Sequence, residues 1–416
     1  MLIRGSLVAL AVALVSSSVS AISPGFPYGS QKVRGVNLGG WLPWITPSLF
    51  DNTGNDAIVD EWSFCQLQQR NVASNVLQSH WNTWITQSDF AAIAAAGLNH
   101  VRLPIGYWAW DVSQGEPYIQ GQLQYLDMAV EWAGQYGLKV IIDLHGAPGS
   151  QNGFDNSGQR LDYPGWHTQS GAVARTNAII KTIANGYAGN PSVVPIISPL
   201  NEPAGFYDEM MGTIKQYWYD SFGNIRYPYG TSQQSDTVVL IHDAFKGLSY
   251  WNDFMTGGDQ AWPGVAMDVH IYQMFTLDQV AYSDDQHISA ACSQGGALSS
   301  FHLWTIVGEW TPAATDCAKY LNGRGRGARY DGTYGGAKYT GNCAAKTGNG
   351  ANFSPDYKTF LRKYWEAQTI AFEQGAGWIQ WTWKAENADD WSYQAGLKYG
   401  WIPQNPSDRQ YPGICG

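Results

Sequence analysis

Eight short apolar runs recur along the chain, and they constrain its fold more than any other feature. They occupy residues 32–38, 100–105, 139–146, 193–198, 237–243, 266–272, 304–310 and 377–383. Between them lie segments such as 86–98 and 122–138, in which apolar residues recur every three or four positions and a glycine closes the pattern. Strands that alternate with helices are typical of a parallel sheet, and eight of them favour closure. The sequence therefore predicts an α/β fold, a single (β/α)₈ TIM barrel.

Three longer stretches interrupt this alternation, at residues 42–79, 273–301 and 322–350. We expect them to form loop insertions or subsidiary elements of the barrel. No linker or low-complexity segment divides the chain, so the sequence predicts one domain over residues 22–416.

The first 21 residues predict a signal peptide. Arg4 precedes an apolar run from Leu7 to Val15, and Val19 and Ala21 occupy the usual positions before a cleavage site. A membrane anchor is the weaker alternative, because this run is shorter than the roughly 20 residues that span a bilayer. No later segment is apolar enough to span one, so we expect a secreted protein without a membrane partner.

The charge of the chain argues against nucleic acid as a partner. Its formal net charge is -10 at pH 7, and loss of Arg4 with the signal leaves 23 basic against 34 acidic side chains. Such a surface repels phosphate backbones. Aromatic residues, by contrast, make up 14% of the chain and include 20 tryptophans. Most of them fill the core, and the remainder suit a cleft in which sugar rings stack on indoles.

Polar residues follow the predicted strands at their carboxyl ends, which converge on one face of a TIM barrel. The strand ends deliver Arg102, Asp143, His145, Asn201, Glu202, His270, Tyr272, Glu309, Trp381 and Trp383. Pro203 ends the fourth strand directly after Glu202, so that carboxyl group is expected at the mouth of the barrel. Carboxylates, imidazoles, a guanidinium and indoles are therefore predicted to meet in one cleft.

Two glutamates in such a cleft indicate glycoside hydrolysis. Glu202 and Glu309 can divide the acid and nucleophile roles when their surroundings push their pKa values apart. Structural carboxylates are commoner than catalytic ones, but both of these glutamates lie at strand ends beside suitable partners. Arg102 is expected to hold Glu309 ionised, and His270 and Tyr272 are expected to orient it.

Several long motifs occur in order and resemble one known family. They are "RGVNLGGW", "LNHVRLPIGYWAW", "IIDLHGAPGSQNGFDNSG", "PLNEP", "HIYQMF", "TIVGEWTPAATDCAKYLNGRGRGARYDG" and "WTWKAENADDWS". From about residue 25 to its end, the chain is similar to the fungal exo-β-1,3-glucanases of glycoside hydrolase family 5. The resemblance implies a monomeric, secreted or cell-wall enzyme that releases glucose from the non-reducing ends of β-1,3-glucan, with some transglycosylation. It implies no metal and no organic cofactor.

The same resemblance assigns roles to individual residues. It implies that Glu202 is the acid/base and Glu309 the nucleophile of a retaining mechanism. It also implies substrate contacts from Arg102, His145, Asn201, His270 and Tyr272, from the entrance pair Phe154 and Phe275 with Asp155 beside them, and from Trp383 as a sugar platform.

One segment departs from the family pattern. Where the family has a form like Gly-Gly-Trp-Leu-Val-Leu-Glu-Pro-Trp-Ile, this chain has "GGWLPWI" from Gly39, as if three residues including a glutamate were missing. The departure leaves two alternatives open, an endo-acting β-glucanase and a catalytically impaired glucan-binding wall protein.

The cysteines predict disulfides in an oxidising compartment. There are five, and four of them can pair in three ways whichever one stays free, so the residues leave the pairing open. The family resemblance implies the pairs Cys292–Cys415 and Cys317–Cys343, with Cys65 free. The sequon at Asn352 is compatible with glycosylation of a surface loop.

Overall fold

A closed parallel barrel stands at the centre of the protein. The computed structural model describes residues 22–43, 46–257 and 261–416. The strands are β1 (Val33–Asn37), β2 (His100–Gly106), β3 (Lys139–Gly146), β4 (Ile196–Ser198), β5 (Val238–His242), β6 (Val265–Ile271), β7 (Trp304–Trp310) and β8 (Gly377–Gln380). Each strand pairs in parallel with its neighbour in the chain, and β8 pairs with β1. The predicted (β/α)₈ barrel is confirmed.

Helices surround the barrel and fill two of the insertions. They are α1 (Pro47–Asp51), α2 (Glu61–Leu67), α3 (Arg70–Thr83), α4 (Gln87–Ala95), α5 (Leu123–Tyr136), α6 (Ala172–Tyr187), α7 (Met211–Arg226), α8 (Asp284–Cys292), α9 (Gly295–Ser300), α10 (Pro355–Phe372) and α11 (Tyr393–Tyr399). Local sequence sets their ends. Thr86 and Asp89 form a capping box at the start of α4, and α5 ends at Gly137, whose φ of +72° suits glycine.

The lower end of the barrel, where the strands begin, is closed by the segment before β1. Phe26 and Tyr28 are buried there among apolar side chains of the strands, such as Ile141 and Ile196. His100, the first residue of β2, lies in the same layer and contacts both aromatic rings. The lower end is therefore a packed apolar plug with one imidazole in it.

The strand β8 is shorter than predicted. It ends at Gln380, whereas the apolar run continues to residue 383. Beyond Gln380 the N–H groups of Trp381 and Trp383 still bond to the carbonyls of Trp310 and Asn37. Between them the Thr382 N–H bonds to the carbonyl of Trp391, and the Thr382 hydroxyl donates to the carbonyl of Asn37 at 2.7 Å.

Two disulfides tie the loops to the barrel. Cys292–Cys415 joins α8 to the last residues of the chain, and Cys317–Cys343 closes most of the glycine-rich loop. Both are the pairs that the resemblance implied, and Cys65 is free and buried in α2. Each is worth roughly 2–4 kcal/mol of stability.

The remaining sequence predictions concern the surface and the N-terminus. Asn352 is exposed, as a glycosylation site requires. The predicted signal peptide, residues 1–21, lies outside the described residues, as do Trp44 and Ile45 of the shortened segment. Among the helices that are described, none combines the length and apolar character needed to cross a bilayer.

Candidate active site

Arg102 organises the upper end of the barrel, where the strands finish. Its side chain is fully buried on β2 and lies 3.0 Å from Asp143 on β3. Its guanidinium donates to Glu309 Oε1 at 2.8 Å, to Asn37 Oδ1 at 2.9 Å and to Asn201 Oδ1 at 2.7 Å. Burial opposes the charge, but the carboxylates of Asp143 and Glu309 raise the pKa of Arg102 above its ordinary value. One buried cation thus fixes residues from four strand ends.

Glu309 is held on two sides. It lies on β7, accepts from Arg102 through Oε1 and accepts from the Tyr272 hydroxyl through Oε2 at 3.0 Å. Burial and the nearby charge of Glu202 raise the pKa of Glu309, whereas the cations His270 and Arg102 lower it. The carboxylate is therefore oriented by Tyr272, as predicted, and also by Arg102. On balance burial wins and the pKa of Glu309 is raised above its ordinary value, so the expectation that Arg102 holds it ionised is not met by this cation alone.

Glu202 occupies a strained turn after β4. Its φ is +46°, a left-handed conformation that costs a non-glycine residue roughly 1–3 kcal/mol and is common at functional sites. The turn directs the carboxylate inward, where only 7% of the residue is exposed. There it contacts Nδ1 of His270 at 2.6 Å and accepts from Nδ2 of Asn156 at 3.2 Å. Burial opposes ionisation, but the contact with His270 lowers the pKa of Glu202.

His270 lies between the two glutamates. The same nitrogen that contacts Glu202 at 2.6 Å is 3.5 Å from Oε2 of Glu309, and Nε2 lies 3.5 Å from Asp268. Burial disfavours a charged imidazole, yet the charges of Glu309 and Asp268 raise the pKa of His270 well above its ordinary value. The sequence predicted that His270 would orient Glu309, but its closer partner is Glu202.

His145, at the end of β3, forms a further part of the cleft beside Trp381. Its Nδ1 contacts Asp143 at 2.7 Å, which leaves Nε2 available. Burial raises the pKa of Asp143, but the charge of Arg102 and the contact with His145 together outweigh burial and lower it. The imidazole is nearly parallel to the indole of Trp381, with ring centroids 5.8 Å apart.

The assignment of Trp383 as a sugar platform is wrong. Trp383 is only 1% exposed, stacks on Tyr393 and donates its indole N–H to Asp89 of α4 at 2.9 Å. Trp383 lies beyond the end of β8, and its side chain points into the helical layer. Trp381, half-buried beside His145, is the indole at the cleft.

The two phenylalanines that the resemblance places at the entrance are exposed, as that position requires. Phe154 and Phe275 are both 39% exposed, and Phe275 packs edge-on against Tyr272 at 5.4 Å. Asp155 is half-buried, and its Oδ2 would be 3.6 Å from a Cβ added to Gly323, so it faces the glycine-rich loop. Burial raises the pKa of Asp155 to about 6. In the loop after β3, the residue that contacts Glu202 is Asn156, the neighbour of Asp155.

Sequence patterns did not identify four of the residues around this site. They are Asn37, Asn156, His242 and Asp268. Alternation along β1 and β6 could have indicated Asn37 and Asp268, because both occupy inward positions on strands. Alternation along β5 also places His242 inward, after Val238 and Leu240, and its ring centroid lies 4.4 Å from that of His270.

One group in the cleft has donor atoms that a metal ion could use. Atoms of Glu202, His242 and His270 lie within 4.8 Å of one another. The raised pKa of His270 works against this use, because a metal ligand must be an unprotonated imidazole. Within the group, Glu202 and His270 are hydrogen-bonded to each other, whereas His242 accepts from the backbone N–H of Ala244.

Similarity to known proteins agrees with this description. Residues 65–283 match the cellulase family, glycosyl hydrolase family 5. A protein of Blumeria graminis named glucan 1,3-beta-glucosidase is 46% identical over 417 residues, covering 98% of this chain and 95% of that relative. A probable glucan 1,3-beta-glucosidase A of Aspergillus niger is 45% identical, covering 98% and 97%.

Solved structures agree on the fold. The rutinosidase from Aspergillus niger has a TM-score of 0.69 at 19% identity, covering 90% of this chain and 99% of that one. Endoglucanase Cel5A from Thermotoga maritima has a TM-score of 0.51 at 14% identity, covering 89% and 95%. The chain therefore belongs to glycosyl hydrolase family 5, the cellulase family, and the resemblance to its fungal exo-β-1,3-glucanases is confirmed.

Proposed function

We propose that this protein is a retaining glucan 1,3-β-glucosidase that releases glucose from the non-reducing ends of β-1,3-glucan. The observation that carries the proposal is the pair of buried carboxylates, Glu202 and Glu309, that one His270 nitrogen contacts at 2.6 and 3.5 Å. The two relatives described above carry the matching name, glucan 1,3-beta-glucosidase. Their similarity over nearly the whole chain supports transfer of that activity.

The spacing of the carboxylates is compatible with retention of configuration. The two oxygens that face His270 cannot be further apart than the sum of 2.6 and 3.5 Å. Retaining enzymes keep their two carboxyl groups ~5–5.5 Å apart, whereas inverting enzymes use ~6.5–9.5 Å to admit a water molecule. The bound applies to one pair of oxygens, so the retaining assignment rests mainly on the family to which the chain belongs.

Glu309 is the nucleophile in this proposal. Arg102 and Tyr272 leave its carboxylate fixed, and an oxygen attacks the anomeric carbon as the glycosidic bond breaks. Glu202 donates a proton to the departing oxygen, and the glucosyl group remains on Glu309 as an ester. Glu202 then removes a proton from water, which attacks the anomeric carbon and releases glucose. A sugar hydroxyl in place of water gives transglycosylation.

His270 has a specific part in this cycle. Its raised pKa keeps a proton at Nδ1, 2.6 Å from the Glu202 oxygen. We infer that Glu202 draws its acid proton from this hydrogen bond when the leaving oxygen arrives. The lowered pKa of Glu202 without substrate then agrees with an acid role, since His270 holds the proton at the other end of one hydrogen bond.

Sugar contacts follow from the remaining polar atoms. Asn201 uses Oδ1 to accept from Arg102, while its buried Nδ2 has no partner among the described residues. That N–H group is available to a sugar hydroxyl, and the resemblance implies the 2-hydroxyl. Trp381 and His145 offer the flat wall of the pocket, and Phe154 and Phe275 flank its entrance.

The cellular setting belongs to the same proposal. The predicted signal peptide and the two disulfides support secretion, and the glucan substrate suits the cell wall or the medium. All of the residues that this chemistry uses belong to one chain, which agrees with a monomeric enzyme.

Hydrolysis of laminarin, a β-1,3-glucan, tests the proposal. Purified protein should release glucose as the sole early product, first as the β-anomer by proton NMR. Glu309→Gln should reduce the rate by a factor on the order of 10⁴ or more, whereas the exposed control Glu131→Gln should not change it.

Three results would contradict the proposal. A ladder of oligosaccharides would indicate endo-attack, and α-glucose as the first product would indicate inversion. Binding of glucan without any release would indicate a wall-binding protein.

A further inference from the structure

A row of exposed aromatic side chains continues outward from the cleft. Phe206 is 48% exposed, and its ring centroid is 6.2 Å from that of Phe154 at the entrance. The two planes differ by 24°, so one face of each ring can point the same way. Tyr207 lies 4.9 Å beyond Phe206, and Tyr163, 41% exposed, lies 4.7 Å beyond Tyr207. We call Phe206, Tyr207 and Tyr163 the aromatic shelf.

The shelf is held in place by the two loops that carry it. The backbone N–H of Ala204 donates to the carbonyl of Gln151 at 3.0 Å, which joins the loop after β4 to the loop after β3. The Tyr163 hydroxyl donates to Glu209 at 2.8 Å, and Phe245 contacts the other edge of Phe206 at 5.8 Å. Rigid rings lose little conformational freedom when they bind a ligand.

The position of the shelf indicates which part of a substrate would reach it. Phe206 follows Glu202 by four residues, and Glu202 is the proposed donor to the departing oxygen. The leaving chain must therefore pass on the Glu202 side of the cleft, where Phe154 and Asn156 also lie. The shelf adjoins Phe154, because the rings of Phe206 and Phe154 contact each other.

The chemistry of the shelf suits sugar rings. Exposed clusters of large apolar side chains on a soluble protein mark binding sites. Aromatic faces bind the C–H faces of pyranoses, while Glu209 and Asp208 beside them can accept from hydroxyl groups.

We propose that the aromatic shelf binds glucose units of β-1,3-glucan beyond the first unit on the leaving side. The proposal rests on the proposed function and adds a second property, a preference for longer chains. A disaccharide would not reach the shelf, whereas a hexasaccharide would cover it.

Kinetics on laminari-oligosaccharides of two to six units test this. The informative quantity is the ratio of kcat/KM for the hexasaccharide to kcat/KM for the disaccharide. We expect Phe206→Ala to lower this ratio about fivefold, which corresponds to roughly 1 kcal/mol of binding to one aromatic face. Phe206→Trp should retain the ratio, because it preserves a flat ring.

A matched control separates the shelf from general surface effects. Tyr229 is 53% exposed, but its hydroxyl bonds to the carbonyl of Asn185 near the end of α6, away from the strand ends. Tyr229→Ala should leave the ratio unchanged. An unchanged ratio in Phe206→Ala would overturn the proposal, and so would an equal fall for all chain lengths.

Binding measurements keep this test independent of hydrolysis. Isothermal titration calorimetry in a Glu309→Gln background should show the same fivefold loss for the hexasaccharide when Phe206→Ala is added. Failure of the wild type to cleave any oligosaccharide would remove the proposed function. The calorimetric ratio would then be the test of the shelf proposal.

Discussion

Each end of the barrel buries a histidine side chain that can be compared with the other, because one ring is neutral and the other is positively charged. His100 lies in the apolar plug at the lower end, and His270 lies among carboxylates at the upper end. His100 is fully buried, and burial lowers its pKa to about 3. Burial opposes the charge of His270 as well, but Glu309 and Asp268 raise its pKa well above the ordinary value. The charge of the neighbours therefore decides the state, and burial alone does not.

Hydrogen bonds agree with this contrast. Nδ1 of His100 faces the Asn99 amide oxygen at 2.6 Å and must donate to it, and in a neutral ring Nε2 then accepts from the Tyr28 hydroxyl at 2.9 Å. Burial, which lowers the pKa of His100, favours that neutral ring. Both nitrogens of His270 face carboxylate oxygens, which favours a ring protonated at both. The lower end thus uses His100 for packing, and the upper end uses His270 to hold a proton.

The largest expected effect comes from removing the cation that balances the upper end. Arg102→Met leaves Asp143 and Glu309 buried without their guanidinium, so we expect a loss of about 3–5 kcal/mol in the free energy of unfolding. Hydrolysis should fall to background. Urea denaturation measures the first change and laminarin hydrolysis the second.

A surface ion pair provides the control for this variant. Lys319 and Asp51 form a pair whose side chains are 54% and 39% exposed, so Lys319→Met should cost less than ~1 kcal/mol. Similar losses in both variants would show that burial of the charges at the upper end has no special cost.

The next largest effect concerns the proton that His270 holds. His270→Asn removes a positive charge that lowers the pKa of both Glu202 and Glu309. We expect kcat/KM to fall about 10²–10³-fold, as for loss of a general acid–base group. The acid limb of its pH profile should move to higher pH, because Glu309 must ionise and now does so less readily. A profile displaced to lower pH would refute the charged state of His270.

The pH dependence of stability tests the lower end. The pKa of His100 is about 3 in the folded protein and ~6.5 in an unfolded chain, so the unfolded chain binds the extra proton between these values. Its contribution is fully present above pH 6.5 and is lost as the pH falls towards 3. Relative to His100→Gln, the wild type should lose about 3 kcal/mol between pH 7 and pH 4. Urea denaturation across this range measures it, and parallel curves would contradict the neutral state.

Much of this architecture was predictable from local sequence. Eight apolar runs gave the barrel, and the polar residues behind them gave Arg102, Glu202, His270 and Glu309 as neighbours, because parallel strands end on one face. The distinction between Trp381 and Trp383 was not predictable in this way. It depends on contacts between distant parts of the chain, such as the Trp383 indole N–H that bonds to Asp89 of α4.

Charge states were predictable only in part. Asp268 lies two residues before His270 on the same face of β6, so alternation indicates a carboxylate beside that ring. Tyr28, which contacts His100, comes from a separate part of the chain and has no signal in the run around His100.

The smallest expected effect tests whether the two ends are independent. Tyr28→Phe removes one hydroxyl, leaves Nε2 of His100 without its donor, and should lower the free energy of unfolding by about 1 kcal/mol. The value of kcat/KM should stay the same, because the layer around His100 is apolar and carries no charge towards the cleft. Thermal denaturation and laminarin hydrolysis measure the two quantities. A clear fall in kcat/KM, measured at the same assay temperature, would mean that the plug also sets the geometry of the strand ends. The neutral and the charged histidine could then not be treated as separate systems.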